Sequence, residues 1–164
     1  MRARFLLTFV LVLALELGIV VWGFGRNLDV ALNRATATAV AGTMSLVGVP
    51  CDSDADLVVC ASLSSVRIIF ECTGAFPIGI FLAAILAFPA TWKWKLLGVG
   101  LGVPAILAVN VGRLMSLMWV ESRFPRAMDW VHVVLWPTLL VLFVVLLWLL
   151  WARAAVRGHR ARVA

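Results

Sequence analysis

Four long apolar runs, separated by shorter polar stretches, set the predicted architecture of the chain. Each run is close to the length of about 20 residues that a helix needs to cross a hydrocarbon core about 30 Å thick. The pattern predicts membrane helices over residues 5–24, 72–89, 96–120 and 131–151. We therefore predict an all-α integral membrane protein, a four-helix transmembrane bundle that forms a single membrane domain over residues 1–164.

The longest polar stretch, residues 25–71, lies between the first two runs and carries two further patterns. Its first half predicts an amphipathic helix along the membrane surface, because apolar residues recur at helical spacing. These residues are Leu28, Leu32, Ala35 and Ala39. The segments DLVVCAS and SVRIIFE are rich in β-branched residues, and the serine-rich break between them predicts a short β-hairpin. The hairpin would deliver Cys72 to the start of the second membrane helix.

Composition agrees with a membrane protein and excludes a soluble domain. The chain is 64% hydrophobic and 13% charged, whereas soluble domains average about 45–50% apolar and about 25% charged residues. A net charge of +6 would suggest a nucleic-acid partner in a soluble protein. Here the distribution of the charges explains it better.

Basic residues without any acid occupy three short segments, and the acids other than Glu16 occupy the segments between them. The basic residues are Arg2, Arg4, Lys93, Lys95, Arg153, Arg157, Arg160 and Arg162. Cytoplasmic loops carry such an excess of Lys and Arg. We therefore predict a multi-pass protein of the cell membrane, with lipid around it and no nucleic-acid partner. Both termini would be cytoplasmic and residues 25–71 would lie outside.

The three cysteines show no C-x-x-C motif and no Cys/His ligand spacing, so we expect neither a metal site nor a cofactor. Cys51 and Cys60 are nine positions apart in the predicted outer segment, where most compartments are oxidising. A hairpin could bring them together in a disulfide bond and leave Cys72 as the free thiol. The sequence leaves open whether this bond forms.

Cys72 falls in the first turn of the predicted second helix, on the outer side. Unpaired N–H groups and the helix dipole favour a thiolate there, whereas the neighbouring Glu71 opposes it. Arg113 lies seven residues before the outer end of the third helix, roughly 10 Å below the surface. An arginine so deep usually faces the bundle or a wet cavity, and Asn110 shares its helix face. His132 occupies the first turn of the fourth helix.

Each of these residues also has a structural explanation: a packed cysteine, a snorkelling arginine and a histidine of the interfacial belt. Their common depth on three different helices favours a functional one. A thiolate nucleophile, a cation to stabilise an oxyanion and a histidine to carry protons are the groups that acyl transfer needs. The sequence thus predicts a candidate site formed by Cys72, Arg113 and His132.

The motifs ECTGAF around Cys72, NVGR ending at Arg113 and VH at His132 resemble, in this order, the exosortase/archaeosortase family. The resemblance extends over residues 66–151 and implies an intramembrane cysteine transpeptidase without a cofactor. It implies that Cys72 is the nucleophile, Arg113 the oxyanion or thiolate stabiliser, and His132 the general acid and base. Thr73 stands where the family more often has serine, and Gly74 follows it as in the family motif.

The resemblance also implies the partners of the protein. The substrates would be secreted proteins with a C-terminal sorting signal, which consists of a short motif, an apolar helix and a basic cluster. The enzyme would cut at or near the motif and transfer the acyl group to an acceptor that the sequence does not identify.

Glu16 is an acid within the first apolar run, roughly 12 Å below the outer surface. This depth is close to that of Arg113, so we hypothesise that Glu16 pairs with Arg113 directly or is bridged to it through Asn110 or water. The alternative is an acid kept protonated by its low-dielectric surroundings.

Two other functions stay open at this point. The chain could be a small non-catalytic membrane scaffold or transporter subunit in which the polar residues only pack. It could instead be a thiol-redox membrane protein that exchanges disulfides through Cys51, Cys60 and Cys72, although the lack of a C-x-x-C motif argues against this.

Overall fold

The computed structural model describes residues 2–21 and 25–160 of the chain and is mostly helical, with one small sheet. The long helices are α1 (Arg2–Val21), α2 (Gly25–Leu46), α3 (Ala75–Ala87), α4 (Trp92–Arg123) and α6 (Trp136–Arg160). The strands are β1 (Cys51–Asp54), β2 (Leu57–Cys60) and β3 (Val66–Arg67). A 3₁₀ turn (Phe70–Cys72) precedes α3. A second 3₁₀ turn (Pro125–Ala127), the short helix α5 (Met128–Trp130) and a π-helical segment (Val131–Leu135) lead into α6.

Helix α4 is the longest element, with 32 residues and a length of about 48 Å at 1.5 Å per residue. It extends beyond the predicted range of 96–120 at both ends. It begins after Thr91, whose backbone is extended, and ends where Phe124 leaves the helical region with φ −139° and ψ 59°. Pro104 lies within it without ending it. The helix contacts α2, α3 and α6.

Two hydrophobic clusters lie along α4. The first, which we call the cap cluster, joins α2, the sheet and the C-terminal half of α4. Its buried members are Ala37, Val40, Ala41, Met44, Val58, Cys60, Ile68, Cys72, Leu114 and Met118. The second, the helix cluster, joins α3, α4 and α6. Its buried members are Phe81, Ile85, Ile106, Val144, Trp151, Ala152 and Ala155. Residues 107–113 of α4 lie between the two clusters.

The helix predicted in the outer segment is present as α2, but a different face of it is buried. Ala37, Val40, Ala41 and Met44 pack into the cap cluster. The residues that carried the predicted apolar spacing are largely on the other side, since Leu28, Ala35 and Ala39 are exposed. The spacing failed because small alanines occur on both faces, and packing against the sheet and α4 decided which face is covered.

The predicted hairpin is present but short, and the sheet has one strand more. β2 and β3 pair antiparallel through Leu57 with Arg67 and Val58 with Val66. The additional strand β1 pairs along the other edge of β2 over four positions. The strand β1 was not predicted from the sequence pattern because it contains Asp52 and Asp54, and aspartate is depleted in strands.

Among the described residues, two helical stretches are long and apolar enough to cross a membrane: Trp92–Arg123 and Pro125–Gly158. They correspond to the third and fourth predicted membrane helices, and the second includes the predicted range 131–151. The first and second predicted helices contain shorter apolar stretches in the described part of the chain, Phe5–Leu15 and Ala75–Ala87. With 13 residues, α3 is about 20 Å long, less than the 30 Å or so of a hydrocarbon core. The predicted range of 72–89 was too long at both ends.

Candidate functional site

Cys72 lies in the 3₁₀ turn before α3 and not in the first turn of that helix. Thr73 and Gly74 separate it from the helix, and Gly74 has a left-handed backbone with φ 82°. The prediction that Cys72 lies in the first turn of that helix is therefore wrong. The hydroxyl of Thr73 donates to the carbonyl of Phe70 at 2.7 Å and accepts from the N–H of Ala75 at 3.3 Å, which holds the turn in place.

All three cysteines lie in the described part of the chain. Cys51 and Cys60 are directly opposed in the β1–β2 pair and form a disulfide bond, with their Cα atoms 4.0 Å apart. Cys72 stays free, and only 7% of its surface is exposed. The bond that the sequence left open is thus present, and it leaves Cys72 as the one thiol for chemistry.

Asn110 links this thiol's segment to α4. Its side chain is 1% exposed, and its Nδ2 donates to the backbone carbonyl of Cys72 at 2.7 Å. Its Oδ1 accepts a long hydrogen bond of 3.5 Å from Nη1 of Arg113. Gly74 makes room for the amide, because a Cβ at position 74 would lie 3.2 Å from Cγ of Asn110.

Arg113 is 7% exposed and lies on the same face of α4 as Asn110. It is about 15 Å along the axis from the end of α4 at Arg123. One side-chain amide connects it to the segment of Cys72, because Oδ1 of Asn110 contacts the guanidinium and Nδ2 contacts the carbonyl of Cys72. Its Nε is buried and has no hydrogen-bond partner among the described residues. Arg113 thus brings a cation and an unpaired buried donor to the segment that carries the free thiol.

No hydrogen bond in the described part of the chain joins the side chain of His132 to these residues. His132 lies half-buried in the π-helical segment Val131–Leu135. The hydrogen bonds of Asn110 connect Cys72 and Arg113, and among the described residues they do not extend to His132. The π-helical segment still marks the position, because single π turns inside α-helices are frequent at functional sites.

Glu16 and Glu71 are the two acids that the sequence places near the site. The side chain of Glu16 lies outside the described residues, and so does its predicted pairing with Arg113. Glu71 is exposed, and the cation nearest to it in sequence, Arg67, pairs with Asp56 at 3.1 Å. In the described part of the chain, no three His, Cys, Asp or Glu side chains converge on a point that could hold a metal ion.

The sequence singles out Cys72, Asn110 and Arg113 but gives no sign of the contact that joins them. The hydrogen bond from Asn110 to the carbonyl of Cys72 spans 38 positions, and no local pattern signals a side-chain contact to a distant backbone atom. The Thr-Gly pair after Cys72 did carry a usable signal, because glycine favours the left-handed backbone that ends one element and starts another. Comparisons of the chain with protein-family models, with curated proteins and with solved structures found no match.

Proposed function

We propose that the protein is a membrane-embedded cysteine transpeptidase or protease that cleaves the C-terminal sorting signal of secreted proteins through a thioester on Cys72. One observation carries the proposal: the single free thiol of the chain is buried in a segment that Asn110 joins to the buried guanidinium of Arg113, whose Nε has no partner among the described residues. A buried cation costs free energy and is usually retained for a function or a partner.

The proposal includes a four-span arrangement in which α4 crosses the membrane with its N-terminus at the cytoplasmic side. Trp92 and Trp119 are both exposed on α4, about 40 Å apart along the axis. This spacing suits an aromatic belt at each interface of a bilayer whose full thickness is about 40–45 Å. Arg113 would then lie near the outer boundary of the hydrocarbon core, and the cap cluster would stand above it.

In the proposed reaction, His132 takes the proton of the Cys72 thiol, and the sulfur attacks the carbonyl carbon of the scissile peptide bond. The oxyanion of the tetrahedral intermediate accepts hydrogen bonds from Arg113, whose Nε–H has no acceptor among the described residues. The intermediate collapses to a thioester while the leaving amine takes the proton from His132. An acceptor or water then loses a proton to His132 and attacks the thioester, and the departing sulfur takes that proton back as the product leaves. These steps require His132 to reach the thiol, and the π-helical segment supplies a place where α6 can adjust.

The test is co-expression with a secreted protein from the same genome that carries a motif, an apolar helix and a basic cluster at its C-terminus. In cells with the wild-type enzyme, we expect the mass of this protein to fall by the mass of the signal that is removed. Cys72→Ala and Arg113→Gln should abolish the change, and His132→Gln should slow it by about 10²-fold or more.

The rival functions predict other results. Processing that persists in Cys72→Ala would reject the proposal outright. A thiol-redox protein would lose its function in the Cys51→Ser/Cys60→Ser double variant and tolerate Arg113→Gln. The proposed enzyme should show the reverse, provided that the double variant still folds. A scaffold would tolerate the changes at Cys72, Arg113 and His132.

A further inference from the structure

We propose that Asn110 is the positioning residue of this site: a single side-chain amide that fixes the backbone of Cys72 and the guanidinium of Arg113 relative to each other. Its effect on catalysis rests on the proposed function. Its effect on the thiol does not, because the reactivity of Cys72 can be measured without any substrate.

The orientation of the Asn110 amide is fixed by both of its neighbours. Nδ2 lies 2.7 Å from the carbonyl oxygen of Cys72 and Oδ1 lies 3.5 Å from Nη1 of Arg113. Turning the amide over would place Oδ1 against a carbonyl oxygen and the NH₂ group against a guanidinium. Both contacts would be repulsive, since neither pair contains both a donor and an acceptor. Only a side chain with one donor and one acceptor at this length satisfies both neighbours.

The hydrogen bond between Asn110 and Cys72 has no substitute in the part of the chain that the structure describes. Among the described residues, the Asn110–Cys72 bond is the one hydrogen bond that ties the 3₁₀ turn and its Thr-Gly continuation to α4. The amide is 1% exposed, so water cannot replace a lost partner at low cost. Gly74 allows the Asn110 amide to approach the turn for two reasons. It adopts the left-handed backbone with φ 82°, and it has no Cβ that would crowd the amide.

A purely structural role, in which Asn110 fills space, makes a different prediction from a positioning role. Asp is nearly the same size and shape as Asn, so packing alone predicts that Asn110→Asp is mild and Asn110→Ala severe. Positioning predicts the opposite order for the electrostatics of the thiol. The carboxylate of Asp would pair with Arg113 and cancel its charge, and it would face the carbonyl of Cys72 with an acceptor instead of a donor.

The experiment measures the alkylation rate of Cys72 with iodoacetate, which is anionic, and with iodoacetamide, which is neutral and of similar size. Purified full-length protein is used with its disulfide intact, so Cys72 is the one free thiol. Mass spectrometry confirms one adduct per chain. The ratio of the two rates, divided by the same ratio for N-acetylcysteine, reports the cation beside the thiol. Burial slows both reagents and largely cancels in the ratio.

We expect Arg113→Gln to bring the ratio close to that of the free thiol. Asn110→Ala should lower the wild-type ratio about fivefold, as expected when one or two hydrogen bonds are lost. Asn110→Asp should lower it further, to about the Arg113→Gln value. Gly74→Ala should lower it in the same direction without altering any polar group, which covers the case in which an Asn110 variant fails to fold.

Ser122→Ala is the matched control. Its hydroxyl also joins α4 to a distant segment, since it accepts from the N–H of Ser64 at 3.0 Å, but it lies away from the thiol. The ratio should stay within twofold of wild type in this variant. An Asn110→Asp ratio within twofold of wild type, or an Asn110→Ala ratio equal to that of the control, would overturn the positioning role.

The outcomes separate this inference from the proposed function. If the wild-type protein processes no sorting signal and the ratios follow the expected order, the proposed function fails and the role of Asn110 at the thiol stands. If processing depends on Cys72 while the ratios ignore Asn110, the proposed function stands and the positioning role is wrong.

Discussion

Gly102 and Gly100 lie two positions apart on α4 and allow the packing of the helix cluster to be tested with one pair of variants. A Cβ at position 102 would overlap Cε1 and Cζ of Phe81, whereas a Cβ at position 100 would meet nothing within 4 Å. Phe81 is 1% exposed, so its ring cannot swing into solvent to make room. We predict that Gly102→Ala destabilises the protein relative to Gly100→Ala.

The magnitude follows from a difference in which the backbone contribution cancels. Replacing glycine by alanine inside a helix is worth about 0.5–1 kcal/mol in favour of alanine at either position. Inserting a methyl group into a filled core costs about 1–3 kcal/mol because side chains and backbone must shift. The free energies of unfolding of the two variants should therefore differ by about 1–3 kcal/mol, with Gly100→Ala the more stable.

The assay is denaturant unfolding in mixed micelles, followed by far-UV circular dichroism. Phe81→Leu should recover part of the loss in the Gly102→Ala background, so that a double-mutant cycle gives a favourable coupling between positions 81 and 102. Equal stabilities of the two glycine variants within about 0.5 kcal/mol, the usual scatter of additive effects, would refute the close contact between α4 and α3 at this point.

Two further predictions concern the disulfide bond and the side chain of Lys95. The disulfide closes a loop with a sequence separation of nine, so the double variant Cys51→Ser/Cys60→Ser should lose about 2.5–3 kcal/mol in the chain-entropy estimate. Amide hydrogen exchange in β1 and β2 should accelerate correspondingly, and unchanged exchange would contradict this. Lys95 donates to the carbonyl of Leu86 near the end of α3 at 2.6 Å, so Lys95→Met should lower the stability by about 1 kcal/mol. Lys93→Met, at an exposed position, should leave the unfolding midpoint unchanged.

The sequence predicts the order of the elements well, because their hydrophobic periods are strong. The run that became α4 and the run around α6 are long and apolar. The bounds of α4 differ from the predicted 96–120 by three or four residues, whereas α6 begins five residues later and ends nine residues later than the predicted 131–151. Trp92 and Arg123 lie inside α4 although they are outside the apolar run. Helix ends are set by hydrogen bonding and by residues such as Thr91, and not by hydropathy.

The candidate site was predicted from the types of its residues and from their common depth in the membrane. The contacts between their side chains could not be predicted in this way. Cys72 and Arg113 are near each other, as their depths suggest. The hydrogen bonds of the Asn110 amide that join them depend on the tertiary packing of the 3₁₀ turn on α4. This packing has no local signature in the sequence. The position of His132 in a π-helical segment likewise depends on how α6 meets its neighbours. Depth along a helix axis fixes only one of the three coordinates of a side chain.

The hydrogen bond between Cys72 and Asn110 also has a consequence for biosynthesis. Asn110 is made 38 residues after Cys72, which at about 5–20 residues per second takes about 2–8 s. Cys72 therefore leaves the ribosome ahead of Asn110 by this interval. Cys51 and Cys60 emerge earlier and are closer to each other in sequence than either is to Cys72. Early pairing of these two would leave the nascent chain no second thiol with which Cys72 could form an intramolecular bridge, and Cys72 would reach α4 reduced.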